Sequence, residues 1–228
     1  MPALLGSLAD ESAPAKQAFH ALCACLTLHG ADSEADVQEF TRRFKEGKGA
    51  AITLRAMERH INEPTADVVG RGLRVISRFG SDDLPPSETE KVVELLLRVI
   101  AAHPTNGPLL AACFDVLNNL CREGVEEHFW AHRGADITMG VLDSQMINNV
   151  KVMDSLFAAL RTVVRNDTME AELVKRGFMA RAVEALRLHP QDPDAARSII
   201  ASLFSNRRKR ILRVSSSIWV WALRWWLR

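Results

Sequence analysis

Tyrosine is missing altogether from the 228 residues, and only 6% of them are aromatic. Alternating β-branched runs are just as scarce, so little material exists for strands. Four cysteines (Cys23, Cys25, Cys113, Cys121) show no disulfide-like spacing, which fits a reducing compartment such as the cytoplasm. No basic start followed by an apolar run opens the chain, so no signal peptide is expected. Chemical motifs are absent as well: there is no nucleophile elbow, phosphate-cradling glycine loop or dinucleotide fingerprint. Gly47-Lys48-Gly49 is too short a fragment to stand for one. Catalysis is therefore the weakest reading, and neither a cofactor nor a metal is expected.

What is present favours helices. Ala, Leu, Arg and Glu dominate, and 47% of the chain is hydrophobic, enough to bury a core. The net charge of +1 conceals an asymmetry. Arg207, Arg208, Lys209, Arg210, Arg213, Arg224 and Arg228 stand in a tail with no acid; without them, 22 basic residues face 28 acidic ones. The body thus has no general affinity for a nucleic-acid backbone.

The apolar run Leu156 to Val163 repeats. Leu160 has Leu117 43 residues behind it and Leu203 43 ahead; Cys113, Leu156 and Ile199 recur at the same interval, as do Phe114, Phe157 and Ile200. One step further back the interval is 44, giving Leu73 with Val69 and Ile76. Fixed-period self-similarity of this length marks stacked helical units, each too small to hide its apolar face alone.

Along the chain, residues 2–14 read as a loose start. Residues 15–28 read as a helix with Phe19, Leu22, Cys23 and Leu26 on one face, and Val37, Phe40 and Phe44 mark the next. Glu46 to Gly49 is a turn, followed by helices over 52–60, 65–78, 87–102 and 109–122. His103-Pro104 and His189-Pro190, 86 residues apart, end similar helices. From Glu126 onward each unit has a short helix, an Arg-Gly turn (133–134, 176–177), a second helix and a longer third helix.

Three helices in 43 residues, with NDTMEAELVKRGFMARAVEALR at 166–187 and LAACFDVLNNLC at 110–121, resemble the armadillo repeat. The resemblance implies an all-α, armadillo-like helical solenoid of about four repeats over 50–206, capped by helices in 1–49 and followed by a tail at 207–228. It further implies a non-catalytic scaffold that binds another protein or extended peptide on the concave face lined by third helices. The family's groove asparagine matches Asn119, with Thr162 and Ser205 at the equivalent places, and the proline that often opens its second helix is absent.

The register also aligns Arg78, Arg122, Arg165 and Arg208, a basic stripe suited to an acidic peptide if those positions face the groove, with Asp115 and Asn119 adding polar contacts. The plainer reading is that each arginine answers a helix C-terminus. His20, Cys23, Cys25 and His29 cannot converge on a metal from one helix. His128 and His132 share a helical face, but no third ligand suggests itself. Near the C-terminus, Trp219, Trp221, Trp225 and Trp226 beside arginine suit an anchor on anionic lipid, although the run is too short to span a bilayer. NRRKR is a nuclear-import-like patch, and an abrupt terminus replacing further repeats would instead leave apolar surface for self-association.

Overall fold

The computed structural model describes residues 2–10, 12, 14–29, 34–78, 84, 86–120, 124–164, 167–190 and 192. Among these the regular structure is entirely helical: α1 (Pro2–Ala9), α2 (Ala15–His29), α3 (Glu34–Glu46), α4 (Gly49–Arg59), α5 (Asp67–Ile76), α6 (Pro86–Ala102), α7 (Gly107–Asn119), α8 (Val125–Ala131), α9 (Gly134–Leu142), α10 (Val150–Val163), α11 (Asp167–Lys175) and α12 (Phe178–Leu188), with a 3-10 turn at Gln145–Asn148.

The helices form two rows. In one, α2 packs on α5, α5 on α7 and α7 on α10; in the other, α1 packs on α4, α4 on α6 and α6 on α9. Burial follows the sequence period. Val69, Cys113 and Leu156 are sealed at the same depth, as are Leu73, Leu117 and Leu160, then Ile76, Leu120 and Val163. Ile199, Ile200, Leu203 and Asn206 lie outside the described residues.

The backbone repeats too. After the second helix of each unit, the amides of Glu63, Asn106, Asn149 and Asp192 donate three residues back, to the carbonyls of His60, His103, Met146 and His189 at 3.2, 3.1, 2.9 and 3.4 Å. Two of these histidines also reach the preceding unit. His103 Nε2 lies 2.6 Å from the carbonyl oxygen of Ile61, and His189 Nε2 lies 2.7 Å from that of Ile147. Asn106 and Asn149 cap α7 and α10 in the same way, their side-chain oxygens accepting from Leu109 N and Val152 N, both at 3.2 Å.

The turn into the second helix recurs across the boundary expected at residue 49. Lys48 (φ 53°) and Arg133 (φ 62°) both enter the left-handed region just before α4 and α9. The following residue must be glycine, because a Cβ on Gly49 would lie 2.4 Å from Phe44, and one on Gly134 2.6 Å from Phe129. Before α12 the left-handed residue is Gly177 (φ 88°) itself, and Phe178 follows, its ring centroid 5.8 Å from that of Phe157 and tilted 53° to it.

Two local expectations are corrected. The loose start contains α1, whose Leu5 and Leu8 are buried against the body. Arg59 of α4 holds its far end, donating to the carbonyls of Leu8 (2.6 Å) and Asp10. In α2 the fully buried cysteine is Cys25 rather than Cys23, one step of 100° away, alongside Ala18, Ala21 and the expected Leu22; Phe19 is partly buried against the core, and the side chain of Leu26 lies outside those described.

Candidate functional site

Of the residues that the register singled out, Arg78, Asp115, Asn119 and Thr162 lie on or just beyond α5, α7 and α10. Arg78 is exposed just beyond α5, and Asn119 is exposed at the end of α7. Asp115 is already engaged, its carboxylate 3.6 Å from Lys151 Nζ on α10. Thr162 is not an open groove position. It is 7% exposed, and its hydroxyl donates to Asn118 Oδ1 across the α7–α10 seam at 2.9 Å. Thr162 is β-branched and aligns with Asn119 in sequence, but it turns inward because Asn118 offers an acceptor there. Arg122, Arg165, Arg208 and the four tail tryptophans lie outside the described residues, so the stripe contributes Arg78 alone.

A second line at the same register, one turn earlier, was not singled out. Arg74, Asn118 and Arg161 succeed one another at intervals of 44 and 43 residues on α5, α7 and α10. The signal was available: the same count that aligned Arg78 with Arg122 and Arg165 aligns these, four residues back. Both arginines are exposed, and neither makes an ion pair among the described residues. The Thr162 bond fixes the Asn118 amide with its oxygen occupied, leaving the two Nδ2 hydrogens without a partner among the described residues.

Arg71, on the same side of α5, lies over the Phe19 ring at 5.2 Å and ties α5 to α2. Packed helices stand about 8–10 Å apart, so Arg74 and Arg161 are separated by about 16–20 Å. An extended chain covers that in about five or six residues. Asp67 stands in the first turn of α5 and Arg74 in its last, and Arg161 stands in the last turn of α10. These placements complement the helix dipoles.

A separate cluster sits where α6 meets α8. His128 Nδ1 and His132 Nε2 lie 3.8 and 3.9 Å from the same oxygen of Glu90. All three side chains are partly exposed, and neither distance is a hydrogen bond. Nothing in the local sequence links Glu90 to the histidine pair; the packing of α6 on α8 supplies it.

Among the described residues no group of three or more His, Cys, Asp or Glu side chains could hold a metal ion, and no helix is long and apolar enough to cross a membrane. Cys23, Cys25 and Cys113 are free thiols. Burial pushes the Cys25 thiol up to about 11 and that of Cys113 higher still, so neither is poised as a nucleophile. Comparison with family models, curated proteins and solved structures produced no match.

Proposed function

We propose that this chain is a non-catalytic scaffold, an armadillo-like solenoid that holds an extended acidic segment of another protein along the row α5–α7–α10. The observation that carries the reading is the line Arg74–Asn118–Arg161: two cations without an ion pair among the described residues flank an amide whose donors have no partner there and whose orientation Thr162 fixes. Guanidinium groups suit carboxylates, and the amide suits a peptide carbonyl between them. Arg78 extends the line by one helical turn.

The test is fluorescence anisotropy with extended peptides bearing acidic residues six apart, against the same peptides with two apart. Arg74→Glu combined with Arg161→Glu is expected to weaken the six-apart peptide at least 10-fold, about 1.4 kcal/mol. Binding should also fall with salt. Equal affinity for the double variant and the native chain overturns the reading.

The composition of residues 207–228 supports a second reading, a membrane-surface adaptor, since seven cations and four tryptophans in that stretch suit anionic lipid. Co-sedimentation with anionic vesicles, lost on deleting 207–228, is the expected result. Equal sedimentation of the full and shortened chains rules it out.

A further inference from the structure

We propose that Arg71 sets the register of the bound segment by taking one of its side-chain carboxylates as a bidentate pair, with Phe19 as the positioning residue for that guanidinium. The inference rests on the acidic-segment reading and goes beyond it, because it separates one cation of the row from the others.

The argument starts from three arginines on α5 and just past its end. Residues 71, 74 and 78 are three and four apart, the spacing that sets side chains one turn above another on a single helical face. Arg74 and Arg78 are exposed, whereas Arg71 is half-buried. Its guanidinium carbon lies over the Phe19 ring, 5.2 Å from the centroid. Phe19 is itself held, partly buried against the core on α2, and α2 packs on α5. Neither a hydrogen bond nor an ion pair reaches Arg71 among the described residues.

An aromatic face holds a guanidinium without using its donors. The attraction runs between the positive charge and the electron-rich face, while the N–H groups point outward in the guanidinium plane. An exposed arginine gives up rotamer freedom when it pairs; Arg71 has given up part of that freedom already in the folded chain. A carboxylate at Arg71 therefore meets a fork of fixed position, and Arg74 and Arg78 supply charge without fixed geometry. Lysine does not replace such a fork, since its ammonium is a point charge. The nearby acids leave the fork open. Asp67, one turn earlier on α5, makes no ion pair with it among the described residues, and Asp115, at the equivalent register position on α7, is engaged by Lys151 at 3.6 Å. The carboxylate for Arg71 thus comes from the bound segment.

The experiment uses the full chain and acetylated, amidated peptides with acidic residues six apart, read by fluorescence anisotropy. Arg71→Lys is expected to weaken binding about 10-fold, close to the loss in Arg71→Ala. Arg74→Lys should stay within about 2-fold of the native chain, because an exposed charge of the same sign remains. Phe19→Leu should lose about 2- to 5-fold, and Phe19→Tyr, which keeps the ring, less than that. Urea unfolding separates this role from a structural tie between α2 and α5: Arg71→Lys keeps a cation over the ring, so its midpoint should match the native one while its affinity falls. Affinity that merely follows the midpoint across these variants overturns the proposal. Equal tolerance of lysine at positions 71 and 74 does so too, and leaves the acidic-segment reading standing if Arg74→Glu with Arg161→Glu still weakens binding. Loss in Arg71→Lys without any effect of that double variant supports the fork and sinks the reading. A native chain that binds none of the peptides overturns both.

Discussion

Replacing His189 measures what the reach from one unit to the next is worth. The ring is 6% exposed, and its Nε2 bonds the carbonyl of Ile147, 42 residues earlier, at 2.7 Å. In His189→Phe the ring's volume is largely kept, but the carbonyl loses its donor in a place that water does not reach. An orphaned buried acceptor costs about 1–3 kcal/mol, whereas the net value of an ordinary exchanged hydrogen bond is about 0.5–1.5 kcal/mol. The counterpart at His103 is shorter, 2.6 Å, but only partly buried, so water can stand in for the lost donor. Burial therefore predicts that His189→Phe costs about 1 kcal/mol more than His103→Phe, although bond length alone predicts the reverse. Urea unfolding of the full chain, followed by far-UV circular dichroism with midpoints compared at constant slope, reads the difference. Equal costs, or a larger cost at His103, would refute the claim that the sealed carbonyl sets the value of the latch.

Three further outcomes follow from the same packing. Leu117→Ala and Leu160→Ala should each cost about 2–5 kcal/mol; because α7 packs on α10, the double variant should depart from the sum, and strict additivity would contradict the seam. Thr53 and Thr138, 85 residues apart at the same place in α4 and α9, bury hydroxyls that have no hydrogen-bond partner among the described residues. Thr53→Val and Thr138→Val should leave stability unchanged or raise it by about 1 kcal/mol in thermal unfolding, and a loss above that amount would reveal a missed partner. In a Cys23→Ser, Cys121→Ser variant, Cys25 and Cys113 should resist an aromatic disulfide reagent at pH 8 until denaturant is added. Their thiolates become abundant only above about pH 11, so rapid native labelling would contradict their burial.

The parts of the fold legible in the sequence were those that apolar chemistry alone dictates. Leu73, Leu117 and Leu160 recur in the sequence, and all three are buried, on α5, α7 and α10. What escaped was whatever depends on a partner far along the chain. α1 is held by Arg59, some fifty residues on, and its own sequence gives only a weak periodic signal. His103 and His189 were legible as helix stops but not as donors to Ile61 and Ile147. The left-handed turns at Lys48 and Arg133 were hidden because the glycine that draws the eye is the next residue, kept small for Phe44 and Phe129. At the candidate site Asn118 and Asn119 are adjacent, yet on a helix one step is enough to leave the first held by Thr162 and the second exposed.

The backward reach of the histidines bears on how the protein is made. Each donor follows its acceptor by 42 residues, so a ribosome moving at about 5–20 residues per second supplies it about 2–8 seconds later. A nascent unit therefore waits roughly one unit's synthesis before its loop is fastened, and no fastening depends on anything still further downstream. Translation can pause after either histidine has emerged without leaving that carbonyl bare, whereas a pause a few codons earlier leaves it exposed to chaperones.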